Sequence, residues 1–282
     1  MRQVLHLSEP AWSCTLPYLV TPHPDEWLAG LLLRCDEINH WPCRTTLTHL
    51  LSPGPEKFHR CWRTANPHLI VIQPNSLNLD YLAEILDLEV RVLLATTYHQ
   101  ELARLYETRP HPKLLRASFS LQVCPQCIAE KRLLRRVLTL PQITLCPQHR
   151  IALQKHCQCG ATLSLFQKLT QPFACFQCGR DWKTLPLIAT SPEDWIREQR
   201  ILSWYAFFFT YGTPLLFQQA VLLANGIPVE QGETTLPLRM RKVRRHRFVD
   251  EPSSLSALVS LLVMRNLFPS HLINLFPHDA NM

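Results

Sequence analysis

The chain has 282 residues, of which 46% are hydrophobic and 18% charged, so it is long enough for about two globular domains and is not a disordered protein. It contains 23 prolines and only 7 glycines, which predicts short helices ended by proline rather than a glycine-rich sheet. The formal net charge of +7 favours anionic partners, nucleic acid first. Met1 to Glu9 lack the apolar core of a signal peptide, so we expect a cytoplasmic protein whose 11 cysteines stay reduced and available for metal.

The first region, up to about His111, is predicted to be helical. Asp25 is a favourable N-cap, and apolar residues recur at helical spacing between Trp27 and Ile38. Proline-marked breaks follow this first predicted helix.

Two short helices joined by a tight turn are predicted within Leu79–Tyr106, because the apolar periodicity loses phase near Asp87. Ala83, Asp87 and Leu93 have the spacing of a helix-turn-helix, in which the turn residue accepts a left-handed conformation. A plain helical pair inside a bundle is an equally good interpretation. If the motif reads DNA, the helix between Glu89 and Thr97 would place Arg91 in a groove.

Cysteine and histidine pairs between Cys124 and Cys178 give the strongest signal in the sequence. Cys124-Pro-Gln-Cys127 is followed after eighteen residues by Cys146-Pro-Gln-His149. Each pair is predicted to form a knuckle whose backbone amides donate to the thiolates, and two knuckles on short strands supply four tetrahedral ligands. This spacing predicts a zinc ribbon with His149 as its fourth ligand.

A second set of four ligands follows in the order Cys157, Cys159, Cys175 and Cys178. His156 stands three residues before Cys159 and is an alternative to Cys157, although thiolate is the commoner ligand. Both sites are closed, so we expect two structural zinc ions and no catalytic metal. The remaining cysteines lack ligand spacing and are predicted to be core residues; they are Cys14, Cys35, Cys43 and Cys61.

Two clusters of basic residues are candidate contacts for nucleic acid or for an acidic partner. The denser cluster comprises Arg239, Arg241, Lys242, Arg244, Arg245 and Arg247. A run of this kind can neutralise several phosphates, although a solvated connector between helices is the plainer interpretation. The smaller cluster comprises Lys131, Arg132, Arg135 and Arg136 and has a solvated helix face as its alternative.

No charged residue occurs between Ile201 and Val229, but Gly212 and Pro214 interrupt this stretch. Neither half reaches the roughly 18 to 20 apolar residues of a membrane span, so a buried helical hairpin is predicted. No phosphate-binding loop, nucleophile elbow or acidic cluster suited to a nuclease is found, so we expect a protein that is not an enzyme.

The order of these parts resembles the TniQ family, which includes TnsD-like transposition proteins. The resemblance covers roughly residues 15 to 185 and is carried by "PDEWLAGLLLR", "CPQCIAE", "LPQITLCPQHR" and "CQCGATL". Arg150 stands where members usually have glycine, and the Cys157-x-Cys159 pair is tighter than their usual Cys-x-x-Cys.

The resemblance implies a bacterial adaptor for transposon target selection. Its implied partners are an AAA+ ATPase regulator (TnsC-like), target DNA and, indirectly, a DDE transposase. The chain's length favours the class found in CRISPR-associated transposons, whose members ride on an RNA-guided effector complex with its guide RNA. A homodimer is also possible within this interpretation.

The sequence thus predicts a mainly α fold with small β zinc ribbons. We expect an N-terminal helical domain with a helix-turn-helix over residues 1–110 and a tandem zinc-ribbon domain over 111–186. A C-terminal helical domain with the basic segment is expected over 187–282. The rival functions are a stand-alone DNA-binding protein that recognises an attachment site, and a zinc-dependent nuclease or hydrolase.

Overall fold

A computed structural model describes residues 17–42, 45–46, 79–106, 121–140, 142–165, 171–224 and 255–270. Within these ranges the chain is mainly helical, as the sequence predicts. The denser basic cluster, Arg239 to Arg247, lies outside the described residues, as do Cys14, Cys43 and Cys61.

The described α-helices are α1 (Leu28–Ile38), α2 (Leu79–Leu86), α3 (Val90–Leu94), α4 (His99–Tyr106), α5 (Pro125–Lys131), α6 (Pro192–Tyr211), α7 (Pro214–Ala224) and α8 (Leu255–Met264). Two short 3-10 turns lie at Arg136–Thr139 and Trp182–Thr184. Strand pairing in the described residues consists of single antiparallel bridges.

Helix α1 begins later than the sequence predicts. Asp25 has a positive φ of 60°, and Trp27 occupies the N-cap position without a side-chain hydrogen bond. The predicted cap at Asp25 is therefore wrong. The Trp27 backbone N–H instead donates to the carbonyl of Leu134 at 2.8 Å, so the start of α1 is satisfied by the chain that follows α5.

A buried ion pair fixes the chain that leads into α1. Glu26 is 1% exposed, and both its carboxylate oxygens accept from the Arg34 guanidinium, at 2.7 and 2.8 Å. Arg34 also donates to the carbonyl of Thr21 at 2.7 Å. Because every charge here is paired within the protein, the pair specifies one arrangement of residues 21–34.

The helix pair α2–α3 has the predicted turn. Asp87 has a φ of 51°, the left-handed conformation expected at this position, and Ala83 and Leu93 are buried. Helix α3, however, ends at Leu94 after only five residues, and α4 begins at His99. The predicted pair of short helices is confirmed, whereas a helix-turn-helix that reads DNA stays a prediction.

The uncharged C-terminal stretch lies in two successive helices, α6 and α7, separated at Gly212, while their pairing as a hairpin stays a prediction. A Cβ atom at Gly212 would lie 2.2 Å from the carbonyl oxygen of Phe208, so only glycine fits this corner. Aromatic rings line α6, and Trp204 stacks on Phe208 with ring centroids 5.7 Å apart. Among the described residues, no helix has the length and apolar character needed to span a membrane.

One continuous apolar core runs through the described parts of all three regions predicted from the sequence. Helix α4 packs against α6 and α7, and α8 packs against the same two helices. Tyr98, just before α4, stacks on Phe209 of α6 with ring centroids 4.7 Å apart. The N-terminal and C-terminal helices therefore share one core with the cysteine-rich chain between them.

The close packing of α1 on the chain after α5 predicts the effect of a single methyl group. A Cβ atom at Gly30 would lie 2.9 Å from the Cβ of Leu134 and 3.3 Å from its carbonyl oxygen. Gly30→Ala is therefore expected to lower the free energy of unfolding by about 1–3 kcal/mol in urea denaturation, because the backbone of Leu134 must move.

This loss of stability would be opposite in sign to the effect of helix propensity, which favours alanine over glycine by about 1 kcal/mol. The exposed Ala206 of α6 provides the control, since Ala206→Gly measures propensity alone. A Gly30→Ala variant that is as stable as the wild type would contradict the close approach.

Candidate metal centres

The first cluster gathers the four ligands predicted for the first site. The Sγ atoms of Cys124, Cys127 and Cys146 lie 3.3, 3.4 and 3.5 Å from Nδ1 of His149. The Sγ atoms of Cys127 and Cys146 are 3.7 Å apart. The three cysteines are buried and His149 is partly buried.

These distances fit the edges of a tetrahedron around one metal ion. With Zn–S near 2.3 Å and Zn–N near 2.05 Å, the S···S edge is about 3.8 Å and the S···N edge about 3.6 Å. A disulfide would need sulfurs about 2.05 Å apart, and all three cysteines are free thiols. The donor set and its geometry therefore fit a structural zinc site.

The ionisation of the thiols leads to the same conclusion. Hydrogen bonds from Cys124 and Cys127 lower the pKa of Cys146 to about 2. The bond to Cys127 tends to lower the pKa of Cys124, but the Cys146 thiolate and burial outweigh it and raise that pKa to about 11. Hydrogen bonds with Cys124 and Cys146 raise the pKa of Cys127 as well. Protein groups thus stabilise one thiolate, and ionising all three requires a cation.

Helix α5 positions the first pair of ligands. Cys124 is its N-cap, and the Cys124 sulfur accepts from the backbone N–H of Cys127 at 3.5 Å. The predicted amide-to-thiolate bond is therefore confirmed. This pair sits in the first turn of a helix, so the two short strands predicted to carry the knuckles stay a prediction.

Glu130 orients the histidine of the first cluster. Its Oε2 atom lies 3.1 Å from Nε2 of His149, the ring nitrogen that faces away from the sulfurs. The other oxygen of Glu130 accepts from the Gln126 side chain at 3.1 Å. Such a carboxylate fixes the ring tautomer that leaves Nδ1 free to bind a metal.

The second cluster brings together Cys157, Cys159, Cys175 and Cys178. The Sγ atoms of Cys157 and Cys178 are 3.6 Å apart, as are those of Cys159 and Cys175. His156 is exposed, and its Nδ1 atom lies 3.4 Å from the hydroxyl of Thr162. The structure therefore places Cys157, rather than His156, with the other three cysteines.

Three ligand pairs are followed by a residue with a left-handed backbone. Arg150, Gly160 and Gly179 each stand directly after the second ligand of a pair, with φ of 54°, 86° and 69°. In each case the backbone turns back on the preceding cysteine, as in the bond from the Arg150 N–H to Cys146 at 2.8 Å. Glycine is the residue best suited to this conformation, which explains why members of the family usually have glycine where Arg150 stands.

Arg132 connects both clusters with α1. Its guanidinium binds both carboxylate oxygens of Asp181 at 2.7 and 2.6 Å, and its Nε atom lies 3.0 Å from Glu37. It also lies over the ring of Phe173, 5.6 Å from the centroid. Asp181 pairs across the turn of the second cluster with Ala174, so one side chain holds three parts of the chain together.

Arg135 lies against the first cluster. Its Nε atom donates to the sulfur of Cys127 at 3.4 Å, and its Nη2 atom donates to Gln148. Three thiolates around one divalent ion leave a net charge of −1, which a guanidinium at this distance partly offsets.

Arg136 holds the N-terminal helices to the first cluster. It pairs with Glu101 of α4 at 2.8 Å and lies over the ring of Tyr98, 4.5 Å from the centroid. Its backbone N–H donates to the carbonyl of Asp25 at 2.7 Å. Contacts of Arg132, Arg135 and Arg136 with nucleic acid stay a prediction, but all three guanidinium groups bind within the protein, whereas Lys131 is exposed.

Glu198 of α6 plays a role that sequence reasoning missed. It is 2% exposed and accepts from the backbone N–H groups of Thr144 and Leu145, at 2.8 and 3.1 Å, just before Cys146. Burial raises the pKa of its carboxyl group. The only sequence signal is an acidic residue on the apolar face of a predicted helix.

Arg91 lies on an acidic surface. The side chains of Asp80, Glu84, Asp87 and Glu89 are exposed along α2 and the turn, and Arg91 forms an ion pair with Glu89. The helix pair that contains the helix predicted to enter a DNA groove therefore carries more negative than positive charge.

Residues 17–153 match the TniQ family model. The matched segment covers a little less than half of the chain and contains α1 to α5 and the first cluster, so this part of the chain is a TniQ domain. A TniQ domain implies a transposition-related role in target selection, and TniQ proteins are non-catalytic transposition adaptors. No curated protein matches the chain. The second cluster and α6 to α8 continue beyond the matched segment.

The position of Arg132 predicts two separable effects. Arg132 has a φ of 52°, so its backbone is in the left-handed region that disfavours a side chain. Arg132→Ala is expected to lower the free energy of unfolding by about 1–3 kcal/mol in urea denaturation, because the bonds to Asp181 and Glu37 are lost. Arg132→Gly should cost about 1 kcal/mol less, since glycine accepts the backbone conformation.

The neighbouring Lys131 is exposed and supplies the control, as Lys131→Ala should change stability by less than about 0.5 kcal/mol. Equal stability of the Arg132→Ala variant and the wild type would show that Arg132 does not hold the three parts together.

Proposed function

We propose that this protein is a non-enzymatic adaptor that links a target-recognition complex to an AAA+ transposition regulator. In this proposal the recognition complex is an RNA-guided CRISPR effector with its guide RNA, or the target DNA itself. Two structural zinc ions are bound by the eight clustered ligands, and catalysis belongs to partners such as the transposase. The match of residues 17–153 to the TniQ family carries this proposal.

The arrangement of the clusters supports a rigid joint between helical parts. Arg132 and Arg136 bind groups on α1 and α4, while Glu198 binds α6 to the chain before Cys146. The first cluster is thus bound to helices on more than one side, and Asp181 joins the second cluster to it through Arg132. An adaptor needs this property, because two partners held on one protein are positioned relative to each other only if the protein does not bend between them.

The closed coordination of both clusters supports a structural rather than a catalytic role for zinc. The first cluster supplies three sulfurs and one nitrogen, and the second supplies four sulfurs. A hydrolytic zinc site needs a position for water, and four protein ligands in a tetrahedron leave none. The zinc-dependent nuclease is therefore the weaker proposal.

The charge on the α2–α3 surface distinguishes the adaptor from the rival DNA-binding protein. Four exposed carboxylates lie on α2, the turn and the start of α3, and Arg91 is already paired with one of them, Glu89. Close approach of DNA phosphates would place like charges together. This surface supports an adaptor that depends on partners over a protein that recognises an attachment site through α3.

Binding experiments with the purified chain test the proposal. We expect the wild type to bind the ATP-loaded AAA+ regulator of the same transposon in biolayer interferometry. Arg91→Ala should change the affinity for duplex attachment-site DNA by less than about twofold, because one good side-chain contact to a base is worth about 1–3 kcal/mol and none is expected here.

The exposed Arg104→Ala on α4 serves as a charge-matched control for nonspecific DNA binding. Sequence-specific duplex binding that falls tenfold or more in Arg91→Ala alone, without any binding of the regulator, would reject the adaptor and favour the rival.

A further inference from the structure

The two clusters differ in their exposure. The cysteines of the first cluster are all buried, whereas Cys159 and Cys178 of the second cluster are exposed. The second cluster therefore lies at the protein surface, and the residues between its ligands form a solvent-facing tip.

The tip presents one aromatic ring among hydrogen-bonding side chains. Phe176, between Cys175 and Cys178, is 44% exposed. Gln158, Gln177 and Arg180 are exposed beside it on the same two loops. The exposed ring of Phe176 is therefore accessible to a flat ligand that approaches the tip.

Backbone and sulfur contacts bring these side chains together. The Cys175 N–H donates to the carbonyl of Arg180 at 2.8 Å, so Arg180 lies directly across the turn from the chain that carries Phe176. The Cys157–Cys178 and Cys159–Cys175 sulfur pairs, both 3.6 Å apart, place the loop of Gln158 against this turn.

Space for a ligand is present at both loops. A Cβ atom built at Gly160 or at Gly179 would meet no atom within 4 Å. A ligand can therefore approach the backbone of both turns closely.

We propose that the tip of the second cluster, formed by Phe176, Gln158, Gln177 and Arg180, binds single-stranded nucleic acid. One unpaired base stacks on Phe176, the two amides bond to base edges, and the Arg180 guanidinium contacts a phosphate. This proposal rests on the zinc centre proposed above, because metal binding is what keeps the two loops in contact.

The chemistry of the tip selects this ligand over a protein partner. Amide side chains present both donors and acceptors, as base edges do, and a single ring matches the face of one base. A protein interface would require a broader apolar centre around the ring. Bases within a duplex are stacked on one another, so their faces are accessible to Phe176 only in a single strand.

The charges at the tip permit a phosphate to approach. Four thiolates on one zinc ion carry a net charge of −2, and the exposed Arg180 partly offsets it, whereas Lys183 pairs with Asp181 at 3.6 Å. Asp181 is the nearby carboxylate, and its two oxygens bind Arg132. Stacking therefore contributes more to binding than charge, and the salt dependence should be shallow.

Fluorescence anisotropy with the full zinc-loaded chain and a labelled 12-nucleotide single strand, as RNA and as DNA, tests the proposal. Phe176→Ala is expected to weaken binding about tenfold, because base–aromatic stacking is lost. Phe176→Tyr should retain affinity within about twofold. Arg180→Glu should weaken binding most at low salt, and a duplex of the same sequence should bind less tightly to the tip.

Tyr211, 63% exposed at the end of α6, provides the matched aromatic control, and Tyr211→Ala should leave the affinity unchanged. Zinc content measured on each variant separates a lost contact from a lost site, and a wild type with fewer than two zinc ions would refute the zinc centre itself. Equal affinities of Phe176→Ala and wild type would overturn the proposal. The proposal would also be overturned if Phe176→Ala weakened only the binding of the AAA+ regulator, because the tip would then be a protein-binding surface.

Discussion

Four ligand atoms that all lie within 4.8 Å of one another are the constraint on which the rest of the first cluster depends. The shared hydrogen bonds favour one thiolate at a time, since they lower the pKa of Cys146 while the Cys146 thiolate and burial raise that of Cys124. A divalent cation replaces the protons that the thiols share, so that all three sulfurs can be thiolates. A tetrahedral arrangement of the four ligands accounts for the positions of α5, the turn at His149 and Glu130.

The arginines after α5 extend the constraint to the rest of the protein. Arg132 pairs with Glu37 of α1 and with Asp181 of the second cluster. Arg136 pairs with Glu101 of α4. Glu198 connects α6 with the first cluster by accepting a hydrogen bond from the backbone N–H of Leu145. These charged side chains are partly or wholly buried and paired. Each pair therefore fixes the position of a helix relative to the clusters more specifically than apolar packing does. The cysteine-rich chain thus acts as the centre of the described structure, with helices attached on both sides.

The two clusters were predictable from the sequence, because their ligands come in pairs that are two or three residues apart along the chain. Asp87 was predictable for the same reason, since a tight turn has a local signature. The roles of Arg132 and Arg136 were not, because their partners Glu37, Asp181 and Glu101 lie 35 to 95 residues away along the chain. Likewise, the start of α1 at Leu28 depends on the carbonyl of Leu134, which no rule for local capping can foresee.

The central claim is that zinc in both clusters fixes the helices around them. Amide hydrogen exchange during stepwise addition of zinc to the metal-stripped chain tests it most directly. The account predicts that protection in α1 and in the first half of α6 rises until two zinc ions per chain are bound, because Arg132 and Glu198 join these helices to the clusters. Full protection of both helices before any zinc is added, or saturation after a single ion, would contradict it.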